Sequence, residues 1–167
     1  MIEDLHSKTL DKIIVRPSEL KTVLLRTYSD KSTVVLVKGV FDLFHTGHYY
    51  SFVNAKKYGD VLVVAVNSDE AVTNRKGKER PIIGQNDRML LIAALSCVDW
   101  VTLYQEESPY EVLKIVQPNV FAASHFESLT EIERQELKKH IHFQIVSKRG
   151  ENSTTKIISK IRGESLV

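Results

Sequence analysis

Short, unbroken apolar runs alternate along the chain with longer segments whose apolar residues recur every three or four positions. Five runs read as strands: residues 34–37, 60–67, 100–104, 120–123 and 142–146. The clearest of them, VVLV and VLVVAV, show no apolar/polar alternation, as expected of parallel strands covered on both faces. Helical spacing fills the gaps. Pro17-Ser18 starts a helix in which Leu20, Val23 and Leu24 form an i, i+3, i+4 stripe. Residues 51–58 continue a helix that Gly59 stops, and residues 86–96 are apolar nearly all round. Ser108-Pro109-Tyr110-Glu111 reads as a capping box with proline at the first helical position, opening a helix to Val116. Residues 128–140 form a charged helix with Leu129, Ile132 and Leu137 facing inward, and Ser153-Thr154-Thr155 supply N-cap chemistry for a last helix. Two stretches carry no period: residues 1–12, a loose polar lead-in, and residues 68–85, a basic loop.

Strands alternating with helices predict a Rossmann-like, three-layer α/β/α fold with a five-stranded parallel sheet. One domain spans residues 1–167, a length that leaves room for a full core. The first strand, a helix and the second strand form a βαβ unit, which is right-handed in nearly all proteins. The first and fourth strands are expected to flank the switch point, where open α/β sheets bind ligands.

Composition narrows the function classes. Apolar residues make up 43% and charged residues 26%, as in soluble globular proteins. The longest apolar run is far too short to span a bilayer, and the first residues, MIEDLHSK, lack the pattern of a secretory signal. The lone Cys97 forms no internal disulfide, which makes the cytoplasm the natural compartment. A net charge of +2 without a long basic block gives no reason to expect nucleic acid.

The candidate chemistry lies where the first strand ends, in VVLVKGVFDLFHTGHYY. Gly39 breaks the apolar run, and His45 and His48 flank Thr46-Gly47 where a helix begins. A helix N-terminus presents unpaired N–H groups and a partial positive charge, which suit an anion. Histidines three apart lie on one side of the first turn and can reach the same phosphate. In residues 68–85 the cations Arg75, Lys76, Lys78 and Arg80 leave the C-terminal end of a strand and suit a triphosphate. Arg88 opposes the helix dipole from a first turn, and residues that break a local rule are candidates for function. Lys148, Arg149 and Gly150 precede Ser153-Thr154-Thr155, making a second phosphate-binding helix end.

G-V-F-D-L-F-H-T-G-H resembles the signature of the cytidylyltransferase-like nucleotidyltransferase superfamily, G-x-F-D followed by H-x-G-H. The resemblance implies nucleotide and phosphate contacts for Gly39, Phe41, Asp42, His45, Gly47 and His48. The stretch RPIIGQNDRMLLIAALSCVDWV is similar to bacterial heptose-1-phosphate adenylyltransferases, and EESPYEVLKIVQPNV fits the segment that follows. S-T-T-K-I-I resembles an ending seen there and in glycerol-3-phosphate cytidylyltransferases. These likenesses add phosphate contacts for Arg88, Ser153, Thr154 and Thr155, with Lys156 next to them. Val40 and Asn67 complete the candidate nucleotide contacts. The chain departs from the heptose enzymes twice. Lys38 stands where they usually have asparagine, and FAASHFE, residues 121–127, replaces V-K-G-x-D-Y.

What the resemblance implies is transfer of a nucleoside monophosphate from ATP or CTP to a phosphorylated small molecule, with pyrophosphate released. A sugar phosphate such as heptose 1-phosphate leads the acceptors, and glycerol 3-phosphate or a similar alcohol phosphate is the alternative. His45, His48, Lys38 and Arg88 are the candidate catalytic groups. Mg²⁺ is expected with the triphosphate, no metal is expected on the protein alone, and a homodimer is the default assembly. A nucleotide-binding module without turnover is the reading from another class. A histidine metal site is weak, because His45-x-x-His48 lacks the glutamate of H-E-x-x-H.

Overall fold

The computed structural model describes residues 2–146 and 153–163. Five strands, β1 (Val34–Gly39), β2 (Val61–Asn67), β3 (Trp100–Tyr104), β4 (Val120–Ala123) and β5 (His142–Ile145), form one parallel sheet in the order β3-β2-β1-β4-β5. The expected boundaries hold to within about two residues. The missing alternation has a direct cause. In β2, Leu62, Val64 and Val66 join the core on one face, while Val61, Val63 and Ala65 join the core on the other. All seven β2 residues are buried.

The first face is covered by α3 (Thr46–Lys56) and α5 (Gln85–Ala93), through Phe52, Ala55, Met89 and Ile92. The second is covered by α2 (Pro17–Thr27), α6 (Tyr110–Val116) and α7 (Glu131–Leu137), through Leu20, Leu24, Leu113 and Leu137. Helices on both faces make the three expected layers. The strand order reverses at β1, so β1 and β4 lie side by side at the switch point. At the far end of this loop system α3 returns to β2 through Gly59. A Cβ there would sit 2.5 Å from the Thr33 carbonyl oxygen, so close backbone approach, not helix capping, requires this glycine.

Several local expectations are corrected. The lead-in is not loose: residues Ile2–Leu10 form a helix, α1, with Glu3 and Asp4 in its first turn and Lys8 in its last. The chain then runs along the edge of β3, where Val101 N–H donates to the Lys12 carbonyl (2.8 Å) and Ile14 N–H to the Val101 carbonyl (2.9 Å). The supposed basic loop contains α4 (Asp69–Lys76), capped by Ser68, whose hydroxyl accepts from Ala71 N–H. At α6 the N-cap is Pro109 without a side-chain cap, and Ser108 Oγ accepts from Tyr110 N–H instead. A capping box does occur at α7, between Thr130 and Glu133. Ile132 points outward, 79% exposed, while Leu129 and Leu137 are buried as expected. The last helix, α8 (Thr154–Arg162), is capped by Ser153, whose hydroxyl accepts from Lys156 N–H. Lys148, Arg149 and Gly150 lie outside the described residues.

Arg88 is a structural bolt beneath the switch point. It is 1% exposed, and its guanidinium donates to the carbonyls of Val40, Asn67 (2.8 Å) and Ile83 (2.9 Å) and to the Asp69 carboxylate (2.6 Å). One side chain thus ties the turn after β1 to the end of β2 and to the approach to α5. Arg88→Met would leave those buried carbonyls without a donor, and a loss of about 3–5 kcal/mol is expected. Urea unfolding of the variant checks this; an unchanged midpoint would contradict the bolt.

Candidate nucleotide-binding site

The turn after β1 takes an unusual path. Phe41 (φ 55°) and Leu43 (φ 48°) both adopt left-handed backbone, which costs a non-glycine residue roughly 1–3 kcal/mol each. Three features hold that path. Gly39 has no Cβ, which would otherwise stand 2.7 Å from the Phe41 ring. The Asp42 carboxylate accepts from the backbone N–H groups of Ile82 and Ile83 (both 3.0 Å) and from Arg80 Nε (2.7 Å). Its own carbonyl accepts from the Thr154 hydroxyl (2.6 Å), which docks the start of α8 against the turn. Burial pushes the Asp42 carboxyl up, but the two N–H donors and Arg80 outweigh it and hold it below its ordinary value.

His45 caps α3. Its Nδ1 accepts from Gly47 N–H (3.1 Å), so the ring proton of the neutral imidazole sits on Nε2. His48 stacks on it, with ring centroids 3.8 Å apart and planes 22° from parallel. Phe41 packs edge-on against His48 at 5.3 Å. Two imidazoliums this close would repel each other, and an anion beside them would offset that repulsion.

These groups line a cavity of about 400 Å³ at the C-terminal ends of β1 and β4. Lys38, Gly39, Val40, Phe41 and Asp42 form its β1 side, with His45 and His48 beyond them. Arg75, Lys76 and Arg80 come from the α4 side, and Ser153, Thr154 and Thr155 from the start of α8. Asp42 is the one carboxylate on the described wall, and its oxygens are held by the bonds above. The described wall is therefore strongly cationic. Lys38 also donates to Ser128 Oγ (2.8 Å), which fastens β1 to the segment after β4.

Five expected contacts lie off the wall: Lys78, Lys156, Arg88, Asn67 and Gly47. Arg88 is the bolt described above, so the expected phosphate contact gives way to a structural one. Asn67 is 1% exposed and holds Tyr104 Oη (2.8 Å) and the Glu106 carbonyl (3.4 Å). Gly47 is buried behind His45. The cavity also includes Ser124 and His125, two residues of the segment 121–127 in which the chain departs from the heptose enzymes. Their position directly after a strand at the switch point was the available signal. Among the described residues no group of three His, Cys, Asp or Glu side chains is placed to hold a metal ion, and no helix is long and apolar enough to cross a membrane.

A parallel sheet with a cationic cavity at its switch point defines the class: a Rossmann-like α/β protein. The family follows from comparison, because the cytidylyltransferase-like family matches residues 36–163, and the chain belongs to it. Among its relatives, bifunctional protein HldE of Sulfurimonas denitrificans is 37% identical over 164 residues, covering 96% of this chain and 33% of that protein. Bifunctional protein HldE of Campylobacter fetus is 34% identical, covering 97% and 34%. The chain thus spans about a third of the length of these curated relatives. A solved lipopolysaccharide core biosynthesis protein from Thermoplasma volcanium superposes with a TM-score of 0.61 at 30% identity, covering 71% of this chain and 99% of that one. Pantoate-beta-alanine ligase from Francisella tularensis shares the fold, with a TM-score of 0.58 at 14% identity, covering 90% and 77%.

The Asp42 clamp has a testable sign. A carboxyl held below its unfolded value contributes stability that is fully present above about pH 4 and is lost as pH falls through the folded value. Asp42→Asn should therefore be less stable than the wild type at pH 7, and the gap should narrow toward pH 3. Urea titrations at the two pH values measure it; a gap that stays constant would contradict the clamp.

Proposed function

We propose that this chain is a nucleotidyltransferase. It transfers a nucleoside monophosphate from ATP or CTP to a phosphorylated small molecule and releases pyrophosphate. Sugar 1-phosphates, heptose 1-phosphate first, lead the acceptors, in keeping with the HldE relatives and the lipopolysaccharide-linked structural neighbour. The observation that carries the reading is the stacked His45–His48 pair in a cavity otherwise lined by cations.

The chemistry needs little covalent help. An acceptor phosphate oxygen is already anionic. It attacks the α-phosphorus, the bond from that phosphorus to the bridging oxygen breaks, and the electron pair leaves with pyrophosphate. What the protein supplies is alignment and charge stabilisation. His45 Nε2–H and the His48 ring donate to oxygens that gain charge at the pentavalent centre. Lys38, Arg75, Lys76 and Arg80 offset the charge of the phosphates. Phe41, Gly39 and Asp42 fix the turn on which both imidazoles depend.

Mg²⁺ enters with the triphosphate. The Asp42 carboxylate is already engaged by Arg80, Ile82 and Ile83, so the ion would be carried by the triphosphate and would supply charge neutralisation there. The cytoplasm supplies both substrates, and a homodimer is the assembly expected by default.

Pyrophosphate release, assayed with ATP and CTP against a panel of sugar and alcohol phosphates, tests the reading. Turnover with one pairing is expected. His48→Ala and His48→Gln should each lower kcat by about 10²–10³ while the melting temperature stays near that of the wild type. Near wild-type turnover in both variants would remove His48 from the chemistry. Tight nucleotide binding with no turnover on any acceptor would leave a binding module in place of an enzyme.

A further inference from the structure

Lys38 reaches the cavity from the other side of the sheet to the histidines. Along β1, Val35 and Val37 join the core of the first face and Leu36 that of the second. Lys38 stands two residues beyond Leu36, so it leaves the strand on the second face, whereas the histidines belong to α3 on the first. Lys38 nonetheless lines the cavity, and its ammonium donates to Ser128 Oγ (2.8 Å). A lysine head group rides on a flexible four-carbon stem. Without a restraint it would sample many positions at the rim of the sheet, few of them beside a phosphate.

Resting on the nucleotidyltransferase reading above, we propose that Ser128 is a positioning residue: its hydroxyl holds the Lys38 ammonium at the end of β1, where it meets the phosphates from the face opposite the histidines. Ser128 acts through Lys38 and does not touch the nucleotide. Its backbone is fixed on both sides. A turn is closed by Leu129 N–H donating to the Phe126 carbonyl (3.1 Å). Before Ser128, Phe126 packs on Phe121 (5.5 Å) and Phe143 (5.0 Å). After it, Leu129 is 2% exposed, and Thr130 N–H donates to the Glu133 carboxylate (2.7 Å) in the capping box of α7. A serine on a fixed backbone has one side-chain torsion left to set, so the hydroxyl is a rigid post for a flexible cation. It is also neutral. The bond takes up one of the ammonium's three donors and cancels none of its charge. Arg80 shows the contrast, because the Asp42 carboxylate that holds it (2.7 Å) also offsets its charge.

A double-mutant cycle separates this role from simple support of the fold. Dissociation constants for ATP, CTP and inorganic tripolyphosphate would be measured by calorimetry on the wild type, Lys38→Met, Ser128→Ala, Ser128→Thr and the double variant Lys38→Met/Ser128→Ala. Lys38→Met should weaken the better-bound nucleotide and tripolyphosphate roughly tenfold, and Ser128→Ala should weaken both about threefold. The double variant should bind no more weakly than Lys38→Met, since a residue that acts only through Lys38 has nothing left to position. Threonine keeps the hydroxyl, so Ser128→Thr should stay near the wild type. A further threefold loss in the double variant would make Ser128 a support of the segment alone and overturn the inference. Unchanged binding in Ser128→Ala or in Lys38→Met would overturn it too, as would tighter binding in Ser128→Ala, which would show the hydroxyl competing with the phosphates. In each of these cases the nucleotidyltransferase reading stands. A wild-type protein that binds no nucleotide would overturn that reading itself.

Discussion

The site depends on a turn that its own sequence would not hold. Left-handed backbone at Phe41 and Leu43 is unfavourable, and two buried charges, Asp42 within the turn and Arg88 from α5, enforce it through bonds to distant backbone. Asp42 reaches down to the backbone of Ile82 and Ile83, and Arg88 reaches up to the carbonyl of Val40. The two contacts run in opposite senses, a carboxylate to N–H donors and a guanidinium to a carbonyl. Together they lock the turn to the chain that enters α5. Buried charges persist where they are paired and hydrogen-bonded, and here most of the partners are backbone groups.

From this constraint the geometry of the site follows. The turn delivers the chain into α3 with His45 as its cap. The cap bond from Gly47 fixes the tautomer, and the stack with His48 fixes the ring planes. The same turn accepts the Thr154 hydroxyl at the Asp42 carbonyl, so the start of α8 registers against the turn that leads into the histidines. The phosphate-suited elements, far apart in sequence, are thus aligned by one short piece of backbone. Preorganised donors of this kind need not reorganise as charge develops, which is where such sites gain their rate.

Much of this was legible in the sequence, for physical reasons that also mark where legibility ends. Strands buried on both faces leave unbroken apolar runs, so β2, β3 and β4 were placed closely. The G-x-F-D and H-x-G-H residues identified the turn and the pair. α1 and α4 were missed because a peripheral helix needs no apolar stripe. DEAVTNRK shows only its Ser68 cap and the order of its charges, acidic first and basic last. Arg88 was noticed because a cation in a first turn breaks a local rule, but the rule-breaking serves buried carbonyls, which no linear pattern reveals. Ile132 was assigned inward by its spacing, yet α7 is short and rests on Leu137 alone among its residues. His125 is legible only as part of residues 121–127, where the chain departs from the heptose enzymes; the sheet order is what places that segment at the switch point.

The central claim is that a nucleoside triphosphate binds at the end of β1 with its phosphates against the stacked imidazoles. A crystal structure with a non-hydrolysable ATP or CTP analogue and Mg²⁺ tests it most directly. The account predicts a phosphate oxygen within about 3 Å of His45 Nε2 and another within reach of His48, with Phe41 and Leu43 still left-handed. A nucleotide bound elsewhere on the molecule, or one in this cavity with its phosphates turned away from both histidines, would contradict it.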